Sequence, residues 1–487
     1  MAGKYILAID QGTTNTKAIL VDTEGNPVRI ASVPMTSSYP RPGWAEQSAE
    51  AIWQSVRDVI ARASADAGPD EIAGIAISNQ RETLVLFDVQ TGEPIAPAIL
   101  WQCRRSSDLC AGLIDAGHDE KVVSATGLSI NPLFPASKIS WVLQNDAHAR
   151  ELAEAGRLRA CTVDAWLCYK LTGESRFVTD HSNASRTQLF NINTLTWDAD
   201  ICALFGVDPS LLPTPLPSDS IFGTTAAGAT VLPKGVPIRA VMGDSHAALF
   251  GHGVRKPGLV KATYGTGSSL MTLTTDRVTS RNGLSSTIAW TDRNATYYAL
   301  EGNITVSAQA AAFMSALMGT DSVAVLSDFA ESVNNSMGVV FVPALSGLGA
   351  PHWNDYATGT ITGMTLGTTR AHLARATFEA IALQVCDVFT AMERDIGVDL
   401  LGILADGGAS SNSFLMQLQS DLMNRTVSCS ARAEVSALGV AYMALAGLGY
   451  RVGESQSHER VFKPRSDWDS ERDSIRARWD QAIASLK

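Results

Sequence analysis

The chain has 487 residues, too many for one ordinary hydrophobic core, so two domains are expected. Hydrophobic residues make up 45% and charged residues 18%, the balance of a soluble globular protein. A net charge of −11 argues against a nucleic-acid partner, which needs clustered Lys and Arg, but leaves room for small anions held by local backbone donors.

The opening Met1-Ala-Gly-Lys-Tyr5 lacks the charged, apolar and cleavage-site succession of a signal peptide. The weakly polar run Leu438 to Tyr450 is too short and too Gly-rich to span a bilayer. The seven cysteines form no CxxC pair and read as reduced, mostly buried thiols. A cytoplasmic location without a membrane partner is expected.

Tyr5-Ile-Leu-Ala-Ile-Asp10 is an apolar strand ending in an acid. Gln11 to Thr16 is a small polar turn, and Lys17-Ala-Ile-Leu-Val-Asp22 a second strand, so the chain opens with a hairpin whose tip is rich in Gly and Thr. Ala49 to Ala65 carries Ile52, Trp53, Val56, Val59, Ile60 and Ala63 at helical spacing. Ile72 to Ile77 is a short buried strand running into the polar cluster Ser78-Asn79-Gln80-Arg81-Glu82. Strands alternating with amphipathic helices indicate an α/β architecture.

Near residue 240 the opening repeats. Pro237 to Val241 is strand-like, and Met242 to His246 reads as a turn. Leu259 to Tyr264 is a strand, Gly265 to Ser269 another Gly/Thr turn, and Leu270 to Thr274 another strand. One hairpin per half predicts two related domains facing each other, with a boundary near 245–255. The last third holds a long helix through Leu373, Ile381, Val388 and Met392 that stops at Gly397. Leu400 to Leu404 is a strand ending in Ala405-Asp406-Gly407-Gly408, where backbone can approach a nucleotide closely.

Two Gly/Thr turns, each with an acid nearby, suit phosphoryl transfer, which needs donors around phosphates, a bridging metal and an oriented hydroxyl. Asp10 could hold Mg²⁺ through water, or simply initiate a turn. Asp244 could take the proton of an attacking hydroxyl, or cap a helix beginning at Ala247. His246 has no partner motif and reads as structural. Arg81 and Glu82 form a donor and acceptor pair suited to vicinal hydroxyls, or else a surface ion pair. There is no GxxxxGK[ST] loop and no GxSxG elbow.

These residues resemble the FGGY carbohydrate kinases, and within them the glycerol kinases, over essentially the whole chain. Asp10-Gln-Gly-Thr-Thr14 resembles the first phosphate loop. Tyr39 to Trp44, Asn79-Gln-Arg-Glu-Thr83, Trp101 to Arg105, Asn183-Ala-Ser-Arg186 and Gly347 to Pro351 are similar to glycerol kinase segments in matching order. Gly359 to Met364, with Ala376-Thr-Phe-Glu379, resembles the second family signature, and Asp406-Gly-Gly-Ala409 with Asn412 the adenosine-binding turn.

The resemblance implies an α/β fold of two actin-like, RNase H-like domains with an ATP and substrate cleft between them. Residues 1–250 would form the N-terminal domain, with the substrate side, the first phosphate loop and the catalytic Asp; 251–487 would form the C-terminal domain, with the second phosphate loop and the adenosine site. Asp244 matches the family's catalytic base, and Arg81, Glu82 and Trp101 match residues that hold the polyol. Gly12, Thr13, Thr14, Lys17, Gly265, Thr266 and Gly267 match the phosphate site, Gly408 and Asn412 the adenosine site, and Asp10 the Mg²⁺ site. ATP and Mg²⁺ are the implied cofactors, and a homo-oligomer, dimer or tetramer, the implied assembly.

Three pocket positions depart from the family pattern. Leu133, Ser245 and Ser269 stand where glycerol kinases have Tyr, Gln and Phe. The pocket is therefore expected to be larger and on one side more polar. The expected activity is ATP-dependent phosphorylation of a small polyol or sugar hydroxyl, with glycerol as first candidate. A C4–C5 polyol or ketose is the alternative within the enzyme class. A non-catalytic actin-like ATPase or sugar sensor is the alternative outside it.

Overall fold

The computed structural model describes residues 3–68, 70–432, 434–452 and 458–486. They fold as two compact units. Unit 1 takes in Met1–Val254, Ser286–Tyr298 and Glu434–Ser455; unit 2 takes in Arg255–Ser285, Ala299–Ala433 and Gln456–Lys487. Where the repeat suggested one division near 245–255, the chain returns to unit 1 twice. The second return is the helix Val435–Gly447, which is apolar almost all round and packs on the strands of the unit 1 sheet.

The unit 1 sheet runs in the order Pro27–Pro34, Asn15–Asp22, Tyr5–Gln11, Ile72–Asn79, Pro237–Gly243, Gly223–Thr224. The opening hairpin is antiparallel; Ile72–Asn79 then lies parallel to Tyr5–Gln11, and Pro237–Gly243 parallel to Ile72–Asn79. In unit 2 the order Ser268–Thr274, Leu259–Tyr264, Gly402–Asp406, Thr426–Ser430 repeats that plan, with an antiparallel hairpin followed by two parallel strands. The two Gly/Thr hairpins thus lie in separate sheets of one topology.

Local signals account for most elements. Helix Ala49–Ala63 starts where Ser48 Oγ accepts from Ala51 N, and it buries Ile52, Trp53, Val56, Val59 and Ile60. The long helix Arg370–Ile396 ends at Gly397, whose φ of 75° is the left-handed stop expected there. One expectation fails: there is no turn over Met242–His246. The strand Pro237–Gly243 runs directly into the helix Asp244–Gly251. Gly243 occupies the cap position and Asp244 is the first helical residue, so Asp244 is not the helix cap. All seven cysteines are buried and free. Among the described residues no single helix is long and apolar enough to cross a membrane.

Helix Asp244–Gly251 is pinned from behind. A Cβ on Gly439 would lie 1.8 Å from the carbonyl oxygen of Ala247, and one on Gly251 would lie 2.3 Å from that of Val435. Two helix backbones therefore meet without side chains between them. Gly439→Ala should push them apart and cost about 1–3 kcal/mol through overpacking. Chemical denaturation will measure this, and an unchanged midpoint would mean the helices do not pack this tightly.

Candidate active site

The register of the unit 1 sheet brings three strand ends together. Asp10 pairs with Ser78, Ser78 with Met242, and Asn79 with Gly243. Their C-terminal ends therefore deliver Asp10, the segment Asn79–Glu82, and Asp244 to one edge, the side on which open α/β sheets bind ligands. Ser78 Oγ donates to Asp10 Oδ1 at 2.9 Å. Arg81 Nε donates to Asp244 Oδ1 at 3.0 Å, and Ser245 N to the same oxygen at 2.6 Å. Both hydrogen bonds to Asp244 fall on Oδ1, so among the described residues Oδ2 stays available as a proton acceptor. Arg81 is buried while the Asp244 side chain is 38% exposed, so the carboxylate is reachable and its partner is held.

Glu82 is buried and has a φ of 61°, a left-handed conformation unusual for Glu. Arg186 Nε donates to its Oε1 at 2.7 Å, and Lys138 Nζ to its carbonyl oxygen at 3.2 Å. Behind Asp244 stands a second polar group. Asp180 accepts from Ser182 N, Ser182 Oγ, Asn183 N, Asn183 Nδ2 and Ser218 Oγ, all between 2.8 and 3.0 Å. Ser182 Oγ in turn accepts from Gly243 N at 3.0 Å, and Asn183 and Asn79 exchange reciprocal amide hydrogen bonds at 3.0 and 3.1 Å. The residue before Asp244 and the segment before Arg81 are thus tied to one buried carboxylate.

The first Gly/Thr turn closes with Gly12 N donating to Asn15 O at 2.9 Å. Thr13 is held from three sides: its Oγ1 donates to Gln80 Oε1 at 3.1 Å, Trp101 Nε1 donates to that Oγ1 at 3.1 Å, and Gln47 Nε2 donates to its carbonyl at 2.6 Å. Trp101 is half-buried, with its ring nitrogen engaged by the turn. Lys17 Nζ is bound by both oxygens of Glu434, at 2.9 and 2.7 Å. Leu133 is half-buried, and Ser245 is buried. His246 is buried with Nε2 at 3.2 Å from Thr287 Oγ1, the structural part expected for it.

Charge at this edge is unbalanced. Burial pushes the Asp10 carboxyl up to about 6, and the negative charge of Asp244 adds to the rise. The Ser78 hydrogen bond and Lys17 pull it back in part, while Glu434 pushes it further up. The three carboxylates Asp10, Asp244 and Glu434 outnumber the two cations Lys17 and Arg81, an excess that suits a bound cation. Among the described residues no group of three or more His, Cys, Asp or Glu could ligate a metal directly.

In unit 2 the turn Gly265–Gly267 closes with Gly265 N donating to Gly267 O at 2.9 Å. Ser307 N donates to Thr266 O at 2.9 Å and Ala308 N to Gly265 O at 3.1 Å, so the turn carbonyls satisfy the start of helix Ala308–Met318. A Cβ on Gly267 would lie 2.4 Å from Ile304 O. Ser269 Oγ donates to Glu301 Oε1 at 3.1 Å. Gly407 has φ 89° and a Cβ there would lie 2.5 Å from Tyr264 O, so this glycine serves strand packing, whereas Gly408 faces open space. Asn412 caps helix Ser413–Met423, its Oδ1 accepting from Leu415 N at 2.9 Å.

Several residues of this arrangement escaped sequence reasoning. Ser78, Gln80, Asn183 and Arg186 all lie in segments already singled out, so their polarity at a strand end or in a matching motif was the available signal. Lys138 gave none, being one cation on the helix Pro135–Asn145.

The N-terminal domain model of the FGGY family of carbohydrate kinases matches residues 5–251, and the C-terminal domain model matches residues 260–448. A glycerol kinase of Carboxydothermus hydrogenoformans is 42% identical over 496 residues, covering 100% of this chain and 99% of that one. An apulose kinase of Pectobacterium atrosepticum is 46% identical over 446 residues, covering 91% and 90%. The crystal structure of Plasmodium falciparum glycerol kinase with ADP superposes with a TM-score of 0.91 at 31% identity, covering 99% of this chain and 98% of that one. With both domain models matched and the two-domain, mixed-sheet fold shared with a solved member, this chain is a kinase and belongs to the FGGY family of carbohydrate kinases.

Proposed function

We propose that this enzyme transfers the γ-phosphoryl group of ATP to a hydroxyl of a small polyol or ketose, with Asp244 as general base. The observation that carries this reading is the Asp244 carboxylate, engaged on Oδ1 by Arg81 and Ser245 N and available on Oδ2. The attacking hydroxyl loses its proton to Oδ2 as its oxygen bonds to phosphorus and ADP departs. Glu82, fixed through Oε1 by Arg186, accepts from a substrate hydroxyl with Oε2; Arg81 donates to one, and Trp101 offers its ring as an apolar wall.

Backbone N–H groups of Gly12–Thr14 and Gly265–Gly267 are the phosphate donors of this reading, with Lys17 as a nearby cation. Gly408 and Asn412 lie toward the adenosine. Asp10 would hold Mg²⁺ through water, and the ion would neutralise charge on the phosphates. The same reading includes a cytoplasmic homo-oligomer, a dimer or tetramer, whose mass light scattering would measure.

Glycerol is the first candidate, since relatives named glycerol kinase match over the full chain. A second reading, a C4–C5 polyol or ketose, is favoured by three departures from the family pattern. Leu133, Ser245 and Ser269 replace two rings and an amide of the family pattern with smaller groups and hydroxyls, and the relative named apulose kinase is 46% identical.

Across a C3 to C6 panel with ATP, some C4–C5 polyol or ketose should give a higher kcat/KM than glycerol. Leu133→Tyr, Ser245→Gln and Ser269→Phe together should shift preference toward glycerol. Glycerol as the best substrate of the wild type would overturn the size argument.

Asp244→Asn keeps the shape and removes the proton acceptor. kcat should fall on the order of 10²- to 10⁴-fold while alcohol affinity changes far less. A variant keeping most of its kcat would remove Asp244 from the chemistry.

Asp10 carries its charge above about pH 6 and loses it below. A proton then competes with Mg²⁺, so the half-saturating Mg²⁺ concentration should rise about fivefold from pH 6 to pH 5. Asp10→Asn should weaken Mg²⁺ dependence at every pH and flatten this slope. A wild-type requirement that stays constant below pH 6 would count against Asp10 as the metal residue.

A further inference from the structure

We propose that Lys138 is a positioning residue for alcohol recognition, its amine clamping the backbone carbonyls of Glu82 and Leu133 together. The inference rests on the reading above, in which Glu82 and Leu133 border the alcohol.

Lys138 lies on helix Pro135–Asn145 and has no exposed surface. Its Nζ donates to Leu133 O at 2.7 Å and to Glu82 O at 3.2 Å. It makes no ion pair with a carboxylate among the described residues. Burying a cation against carbonyls alone is a poor way to stabilise a fold, and an apolar residue of similar volume would ordinarily serve stability better. A costly buried group at a binding edge points to function rather than packing.

Glu82 explains what the clamp is for. Its left-handed backbone, with φ 61°, is unfavourable for a residue with a side chain and persists only where the surroundings hold it. Arg186 fixes the carboxylate, and Lys138 fixes the peptide. Leu133 is held at its other end, where its N donates to Asn131 Oδ1 at 2.9 Å. Two segments far apart in sequence, 79–83 and 131–133, are thereby set at one separation. The separation between the Glu82 and Leu133 carbonyls would limit the width available to the alcohol.

Burial pushes the Lys138 ammonium down to about 7; the negative charge of Glu82 opposes that fall, and Arg105 deepens it. A neutral amine still carries two N–H groups, one for each carbonyl, so the clamp survives loss of the proton.

The test compares Lys138→Met and Lys138→Gln with the wild type, measuring kcat, alcohol KM and ATP KM for glycerol and the best C4–C5 substrate, together with Tm. The clamp predicts an alcohol KM raised about tenfold in Lys138→Met, the equivalent of about 1.4 kcal/mol. ATP KM should stay within about twofold, and preference between the two alcohols should narrow. Lys138→Gln, which keeps an N–H₂ group, should lose less. A lysine that only supports the fold would lower Tm and the active fraction while leaving both KM values in place, and that result would overturn the proposal. If Lys138→Met does not fold, Lys138→Gln decides on the same split: raised alcohol KM supports the clamp, unchanged alcohol KM overturns it. A wild type that phosphorylates no alcohol of the panel overturns the functional reading itself, and the clamp with it.

Discussion

The candidate site depends first on the parallel register of three neighbouring strands. Side chains alternate faces along a strand, so a one-residue slip between Tyr5–Gln11, Ile72–Asn79 and Pro237–Gly243 would turn Asp10 or Asp244 away from the edge. The strands are covered on both faces: Ile6 to Ile9, Ile75 to Ile77 and Ala240 to Met242 are almost wholly inaccessible. The hydrophobic core of unit 1 and the geometry of its polar edge are one constraint seen from two ends.

Above that edge the backbone is held by buried polar groups rather than by more apolar packing. Asp180 collects donors from three serine and asparagine residues and reaches Gly243 through Ser182. Arg186 and Lys138 hold Glu82 in a conformation it would not adopt alone. Buried polar networks of this kind specify geometry, because displacement breaks hydrogen bonds that no water replaces. Such precision suits a reaction in which the protein contributes mainly positioning and electrostatics.

The two units share a sheet plan, yet their edges differ. At the unit 1 edge burial and the charge of Asp244 push the Asp10 carboxyl up, and Asp10, Asp244 and Glu434 together outnumber Lys17 and Arg81, which suits a cation. At the unit 2 edge the turns at Gly265–Gly267 and Gly407–Gly408 are mostly backbone, with glycines required by approaches of 2.4 and 2.5 Å to neighbouring carbonyls at Gly267 and Gly407. One topology thus carries carboxylate chemistry in one copy and close backbone approach in the other.

The sequence alone determined the elements and the family. Apolar alternation, Gly/Thr turns and cap residues are local signals, so the residue order by itself marks the hairpins at 5–22 and 259–274, the helix from Ala49 and the stop at Gly397. Asp10, Arg81, Glu82 and Asp244 are legible as candidates because polar residues at strand ends stand out and fit a family pattern. Tertiary structure decided the rest. Met242–His246 looks like a turn because Gly-Asp-Ser is turn-like locally, but packing against Val435–Gly447 extends strand into helix there. The return of residues 434–455 to unit 1 carries no local mark, since a buried apolar helix fits either core equally well by pattern. Lys138 is the clearest case: its meaning comes from two carbonyls, one of them 56 residues away in sequence, and a carbonyl leaves no trace in the identity of the residue that bears it.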